Sequence, residues 1–490
     1  MATAVLNPEP SLPAERQQKH LPPKSYVDAA AENLDTFSKQ DQHSQELYAG
    51  QGEDEAPRTP RRNMHKKSGS LRVNGHTKES KDPHVVIERF EAKDGEHLVS
   101  IPPGWDRKRG KPLVARRNSE LVSGRKAGAR WEQSRYGDYW EMFTSEQANN
   151  AISIHFAPLS VPLKRRLQTL VVLAHTLSVA ALLSAFFLTC AIPLFWPLLI
   201  PYLIYVLFSN AGYSGTLSHR SDFIRSLPMW SLFASYFPAR LHRSAVLPPT
   251  RKYVLGYHPH GIISHGAFAA FATEALGFSQ LFPGIKNTLL TLDTNFRVPF
   301  YREYALIMGL QSVSRESCEN ILSKGGANGE GMGRAITIVV GGARESLDAQ
   351  PHSLRLVLKR RKGFVKLAIR TGADLVPILA FGENELYDQV QPEQHPLIHK
   401  MQLVVKKVLG FTVPLFHARG VFNYDVGMMP YRRPLNVVVG RPIKVEQASK
   451  PADGYVDELH GMYVQELERI WEEWKDEFAM ERTEELVTVE

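Results

Sequence analysis

From Leu170 to Phe208 the chain carries no Asp, Glu, Lys or Arg, and only His175 could hold a charge near neutrality. That run is nearly twice the roughly 20 residues one helix needs to cross a bilayer. Pro193, Pro197 and Pro201 interrupt its middle and second half, where a helix interior breaks or kinks. The expected structure is a transmembrane helical hairpin over 168–209. Residues 168–190 go in, the turn lies near Ile192-Pro193, and 194–209 come out as a short limb, kinked or re-entrant. Lys164-Arg165-Arg166 precede it, and His219, Arg220 and Arg225 follow. Positive flanks at both ends place both on the cytosolic side. A buried pair of core helices is the other reading, which so long an uncharged run disfavours.

Residues 220–243 read as an interfacial segment. Trp230, Phe233, Tyr236 and Phe237 would meet the membrane, with Arg225, Arg240 and Arg243 reaching head groups. Residues 1–85 are polar and poor in large apolar side chains, so a disordered tail is expected. It holds a basic cluster, Arg58-Thr59-Pro60-Arg61-Arg62 and Lys66-Lys67, and no apolar signal-peptide core. Residues 86–160 form a mixed juxtamembrane region. Trp131, Tyr136, Tyr139, Trp140 and Phe143 would pack on a domain or lie at the membrane surface.

Within 250–481 strand and helix patterns alternate. Strands are expected at 252–257, 287–292, 335–340, 374–381 and 435–439. Helices are expected at 266–276, 298–309, 316–322 and 363–370, with a last one carrying Val456, Leu459, Tyr463, Leu467, Ile470, Trp471, Trp474 and Phe478. This is an α/β pattern with a largely parallel sheet flanked by helices.

The strand at 252–257 runs into His258-Pro259-His260-Gly261. Proline stops a ladder and glycine permits a tight turn, so the histidines sit in a rigid corner at a strand end. Three chemistries fit: a general base, a metal-ligand pair, or two satisfied turn histidines. HExxH and HxE…CxxC spacings are absent and no third ligand is near, so no metal is expected. GxSxG is absent too, and nothing marks Cys318 as a nucleophile. Imidazole can take a proton near neutrality, which leaves a substrate hydroxyl as the group to be activated. Gly341-Gly342-Ala343-Arg344-Glu345-Ser346 follows another strand, and suits an anion or oxyanion clamp or a plain tight turn. Arg355, Lys359, Arg360, Arg361, Lys362, Lys366 and Arg370 could face phosphates or be a solvated face. The Gly-rich loop 324–333 matches no nucleotide motif. A net charge of +8 suggests anionic partners. No nucleic-acid motif accompanies it, and the two cysteines form no disulfide framework.

Seven motifs in order resemble the type-2 diacylglycerol acyltransferase family, which also holds monoacylglycerol and wax-ester acyltransferases. They are Tyr236-Phe237-Pro238, His258-Pro259-His260-Gly261, Arg297 to Gly309, Gly341 to Ser346, Arg361-Lys362-Gly363-Phe364, Gly382-Glu383-Asn384-Glu385 and Gly440-Arg441-Pro442. The long polar N-terminus and the extra residues around Glu385 to Pro414 look like a fungal-type member. The resemblance implies acyl transfer from acyl-CoA, a co-substrate with no bound cofactor, to diacylglycerol. Triacylglycerol would form at the endoplasmic reticulum and lipid droplets, with membrane lipids as partners and self-association open. It implies His260 or His258 as the base and Gly261, Gly341, Gly342, Arg344, Glu345, Arg302 and Lys362 at substrate. The wider glycerolipid acyltransferases carry His-x4-Asp. Here the position five after His260 is His265 and five after His258 is Ile263, so the acidic partner is displaced, with Glu383, Asp293 and Glu345 as candidates.

Overall fold

The computed structural model describes residues 88–91, 96–103, 156–158, 160–389 and 415–490. The 1–85 tail, its basic cluster and the aromatic cluster of 131–143 lie outside the described residues.

The central strands are apolar runs stopped by Pro or Gly: 253–258 before Pro259, 374–381 before Gly382 and 436–439 before Gly440. In chain order all the strands are β1 (Glu88–Glu91), β2 (His97–Ser100), β3 (Arg240–Arg243), β4 (Tyr253–His258), β5 (Lys286–Thr291), β6 (Gln311–Ser312), β7 (Arg334–Val339), β8 (Arg355–Val357), β9 (Asp374–Phe381), β10 (Asp388–Gln389), β11 (Phe416–His417), β12 (Asn436–Val439) and β13 (Val487–Val489). Nine make one sheet in the order β1-β2-β3-β12-β9-β4-β7-β5-β6. The run β9-β4-β7-β5-β6 is parallel throughout. β12 lies antiparallel to β9 and parallel to β3, and β1 and β2 add an antiparallel edge. β4 is central and every residue of it is buried, as expected where helices cover both faces of a parallel sheet.

The helices used below are α1 (Leu163–Thr176), α2 (Ser178–Cys190), α3 (Trp196–Phe208), α4 (Pro228–Tyr236), α5 (Tyr301–Ile307), α6 (Arg315–Ser323), α7 (Gly342–Leu347), α8 (Gly363–Thr371) and α9 (Asp453–Phe478). α8 stops where Gly372 takes φ +67°, a left-handed cap that glycine adopts without a Cβ clash. The helix expected over 266–276 is shorter. It runs from His265, widens into a π turn at Phe268–Ala272 and ends at Thr273.

The hairpin expectation changes in form. Among the described residues no single helix is long and apolar enough to cross a membrane. α1 and α2 meet the length and polarity requirement only as a pair bent by 63°. α1 is docked on the domain, because its Gln168 amide donates to the Ser235 carbonyl at 3.1 Å and its Val172 is buried. α2 buries no residue and α3 buries only Leu199. The 63° bend falls at Leu177, inside the limb expected to run unbroken over 168–190; a second break, between Cys190 and Trp196, falls where the turn near Ile192-Pro193 was expected.

The interfacial reading of 220–243 is corrected. The segment forms α4 and β3, and Trp230, Phe233, Tyr236 and Phe237 are all buried in the protein core. The Tyr236 hydroxyl donates to the Pro430 carbonyl at 2.6 Å, and the Phe237 ring stacks on His265 at 5.2 Å. Aromatic density that suggests a membrane surface is here the inner side of a helix packed on α1 and on the turn at Phe268–Ala272. Phe223 and Met229 remain outside.

Candidate active site

β4 delivers the two histidines at its exit. The His258–Pro259 peptide is cis and Gly261 has φ +59°. A Cβ at Gly261 would stand 2.7 Å from Glu383 Cγ, so this position has room only for glycine. The Ser264 hydroxyl donates to the His260 carbonyl at 2.7 Å and closes the turn.

His260 is half-buried, with Nδ1 3.0 Å from the Gly261 carbonyl. A carbonyl only accepts, so Nδ1 carries the proton and Nε2 keeps its lone pair. Among the described residues no hydrogen-bond partner is recorded for Nε2. Burial lowers the His260 pKa below its ordinary value, opposed by the Gly261 carbonyl. The ring is therefore neutral at physiological pH, with the lone pair on Nε2.

His258 differs. It is fully buried, with Nε2 3.0 Å from the Tyr463 hydroxyl. That hydroxyl donates to the Gly256 carbonyl at 3.0 Å, so His258 Nε2 must be the donor to Tyr463. Burial, aided by His460, lowers the His258 pKa to about 3. His258 is thus a locked, neutral strut between β4 and α9. Tyr463→Phe is expected to cost about 1–2 kcal/mol of stability, the usual loss for buried hydrogen bonds, with kcat within about twofold. Denaturant unfolding and initial rates check it.

Two buried carboxylates hold the turn. Glu345, on α7, accepts the main-chain N–H of His260 and that of Val357 at 2.8 Å; β8, which carries Val357, pairs with β13. Glu383, just beyond β9, accepts the Tyr257 hydroxyl at 2.6 Å and the Gly266 N–H at 2.9 Å. Burial raises each to about pKa 7, against the pull of these donors. The folded state holds these protons where the unfolded chain, ionising near 4.3, has released them. Their stabilisation is complete below about pH 4.3 and is lost as pH rises through about 7. Buried histidines with lowered pKa run the opposite way, so a difference isolates the carboxylates. The melting temperature of wild type minus that of Glu345→Gln is expected to fall steadily from pH 5 to 7.5, read by thermal unfolding.

A family model described as diacylglycerol acyltransferase matches residues 187–489, spanning the turn, both carboxylates and α9. The chain belongs to the diacylglycerol acyltransferase family. It is 48% identical over 342 residues to diacylglycerol O-acyltransferase 2A of Umbelopsis ramanniana, covering 69% of this chain and 94% of the relative. Diacylglycerol O-acyltransferase 1 of Schizosaccharomyces pombe is 44% identical, covering 65% and 91%. 2-acylglycerol O-acyltransferase 1 of Bos taurus is 41% identical, covering 69% and 99%. No solved structure matches.

Three of the diacylglycerol acyltransferase motifs thus converge: His-Pro-His-Gly, the Glu345 segment and the Glu383 segment. Neither carboxylate is recorded as a partner of the His260 ring. Asp293 pairs with Arg297 at 3.1 Å. The ring is oriented instead by Gly261. Gly341 leaves no room for a Cβ, which would lie 2.1 Å from Glu345 Oε2, and Gly342 has φ +59°. Arg344 is exposed at the start of α7. Arg302 takes a structural position: it is buried, donates to the Phe296 carbonyl at 3.1 Å and to Glu303 at 3.0 Å, and lies 5.0 Å over the Tyr205 ring, joining α5 to α3. Lys362 pairs with Asp457 at 2.6 Å. Its basic neighbours Arg355, Arg360 and Lys366 pair with Glu484, Glu490 and Asp453, which fits the solvated-face reading. Burial pushes the Cys318 thiol up to about 12, so it is no nucleophile.

Sequence reading missed Tyr257, Tyr463, Tyr387 and His265 as parts of the site. His265 is buried, bonded to the Tyr387 hydroxyl at 2.9 Å, and burial with help from His175 lowers its pKa to about 3. It stands where the wider group carries Asp, yet its partners are aromatic. The only sequence signal was its spacing from His260.

Proposed function

We propose that the protein transfers an acyl group from acyl-CoA to the free hydroxyl of diacylglycerol, forming triacylglycerol and free CoA. The free Nε2 lone pair of His260 carries this reading. In it, Nε2 removes the hydroxyl proton as the oxygen attacks the thioester carbon. N–H groups of the Gly341-Gly342 segment and the Arg344 guanidinium stabilise the tetrahedral oxyanion. The C–S bond then breaks, and the leaving thiolate takes the proton from the imidazolium, giving free CoA and restoring neutral His260. His258 and Glu383 keep the turn in place.

The apolar α2 and α3 are proposed to anchor the domain in the endoplasmic reticulum membrane, with droplets as a second location, where the acceptor dissolves. Phe187, Leu188, Leu198, Leu207 and Phe208 are all largely exposed, which supports a lipid surround. Acylation of monoacylglycerol is a second reading, favoured by the likeness to the bovine 2-acylglycerol acyltransferase. Labelled acyl-CoA offered to membranes with diacylglycerol, monoacylglycerol and a long-chain alcohol, with products identified by mass, separates the two. Labelled triacylglycerol as the main product is expected. No turnover with any acceptor would leave only a lipid-bound scaffold.

A further inference from the structure

Residues 415–431 form a lobe outside the main sheet. Ala418 bridges Gly427, and Arg419 bridges Met429. At its tip the Asn423 side-chain oxygen accepts the main-chain N–H groups of Gly420 at 3.2 Å, Asp425 at 3.2 Å and Val426 at 2.9 Å. The buried Arg419 guanidinium lies 5.2 Å from the Tyr424 ring. This built tip holds Phe422, Val426 and Met428 outward, exposed at 76%, 55% and 68%. A segment preceding α1 joins it: Phe156 bridges Asn423, and the Ala157 N–H donates to the Phe422 carbonyl at 2.8 Å. Phe156 is itself largely exposed. Single exposed apolar residues are ordinary, but large ones gathered on an internally bonded tip mark a contact surface.

Its neighbours say what it contacts. Arg432, just after the lobe, ties it to α1: it donates to Gln168 Oε1 at 2.8 Å, to the Arg165 carbonyl at 3.1 Å and to Thr169 Oγ1 at 2.9 Å. α1 begins with Leu163-Lys164-Arg165-Arg166, directly ahead of the uncharged run. Basic residues at the entry to an apolar segment belong at head-group depth. The apolar tip is therefore fixed to the basic start of the apolar segment.

We propose that Phe422, Val426 and Met428, with Phe156, form a second lipid-contact surface that seats the catalytic domain on the bilayer beside the hairpin. Its partner is an anionic lipid surface, with head groups near the basic root of α1 and the apolar tips at the acyl boundary. The proposal rests on the hairpin reading above. It adds a second attachment, so that two separate contacts fix the tilt of the domain.

The test places a photoreactive benzoylphenylalanine at residue 422 in the full-length protein, reconstituted in phosphatidylcholine–phosphatidylserine vesicles. Matching probes go at Leu207 in α3 and at Met480, both exposed. Lipid adducts, identified by mass, are expected at 207 and 422, with the yield at 422 about tenfold or more above that at 480. Adducts at 207 without adducts at 422 would overturn this surface and leave the hairpin standing. Adducts from 422 to residues 390–414 or to a second copy would overturn it as well, since protein would then cover the patch. Lipid adducts at 422 but not at 207 would sustain the surface and remove the hairpin; none at either would remove both.

Discussion

His260→Ala lowers kcat for triacylglycerol synthesis by roughly 10²–10⁴-fold, the usual loss when a general base is removed, and leaves the protein folded and in the membrane fraction. At about 1.4 kcal/mol per tenfold, this is on the order of 3–5 kcal/mol of barrier. The effect falls on the chemical step because the base acts on the proton only as the hydroxyl attacks. The KM for acyl-CoA is expected to change little. Folding is spared because the ring makes one recorded hydrogen bond, to the adjacent Gly261 carbonyl, while the main-chain N–H that binds Glu345 survives the substitution. The pH dependence carries a second signature. Burial lowers the pKa of His260, so the acid limb of wild-type kcat/KM falls below pH 6.5, and the residual activity of the variant loses that limb. Initial rates with labelled acyl-CoA between pH 5 and 8 measure both. Near wild-type synthesis by folded His260→Ala would reject His260 as the base.

The choice between the two histidines was not legible in the chain. His258 and His260 are equivalent as letters on either side of a proline, and burial separates them. His258 is the last residue of a strand covered by α9, and it meets Tyr463 from more than two hundred residues away. No local pattern encodes that pairing. β9 was legible to its end residues, because an apolar run bounded by Thr371-Gly372 and Gly382 marks a buried strand. The membrane reading of Trp230 to Phe237 failed for a related reason. An aromatic-rich helix has the same composition whether it faces lipid or protein, and the difference lies in partners such as Pro430 and His265. Glu345 and Glu383 were legible as motif members, but not as clamps on one turn, since their acceptor roles depend on main-chain N–H groups that no side-chain pattern reveals.

Removing the Glu383 carboxylate is expected to be the most damaging change outside His260. In Glu383→Ala the Tyr257 hydroxyl and the Gly266 N–H lose their acceptor in a buried site. An unpaired buried donor costs about 1–3 kcal/mol, so a total on the order of 4 kcal/mol is expected. That is a large share of a typical stability of about 5–15 kcal/mol, and folded yield should drop accordingly. Glu383 Cγ also packs where a Gly261 Cβ would stand, so its loss leaves a void beneath the turn that carries His260. The folded fraction should therefore lose at least about tenfold in kcat, because a small misplacement of a base is costly. Glu383→Gln discriminates the two effects. Tyr257 and Gly266 both bond Oε2, so its remaining oxygen can still accept both and its bulk still supports Gly261, while an NH2 group that needs a buried acceptor takes the place of Oε1. Stability intermediate between wild type and Glu383→Ala, with kcat near wild type in the folded fraction, is the result expected of a positioning residue. A Gln variant as inactive as Ala but fully stable would instead mean that the carboxyl proton itself takes part in the reaction.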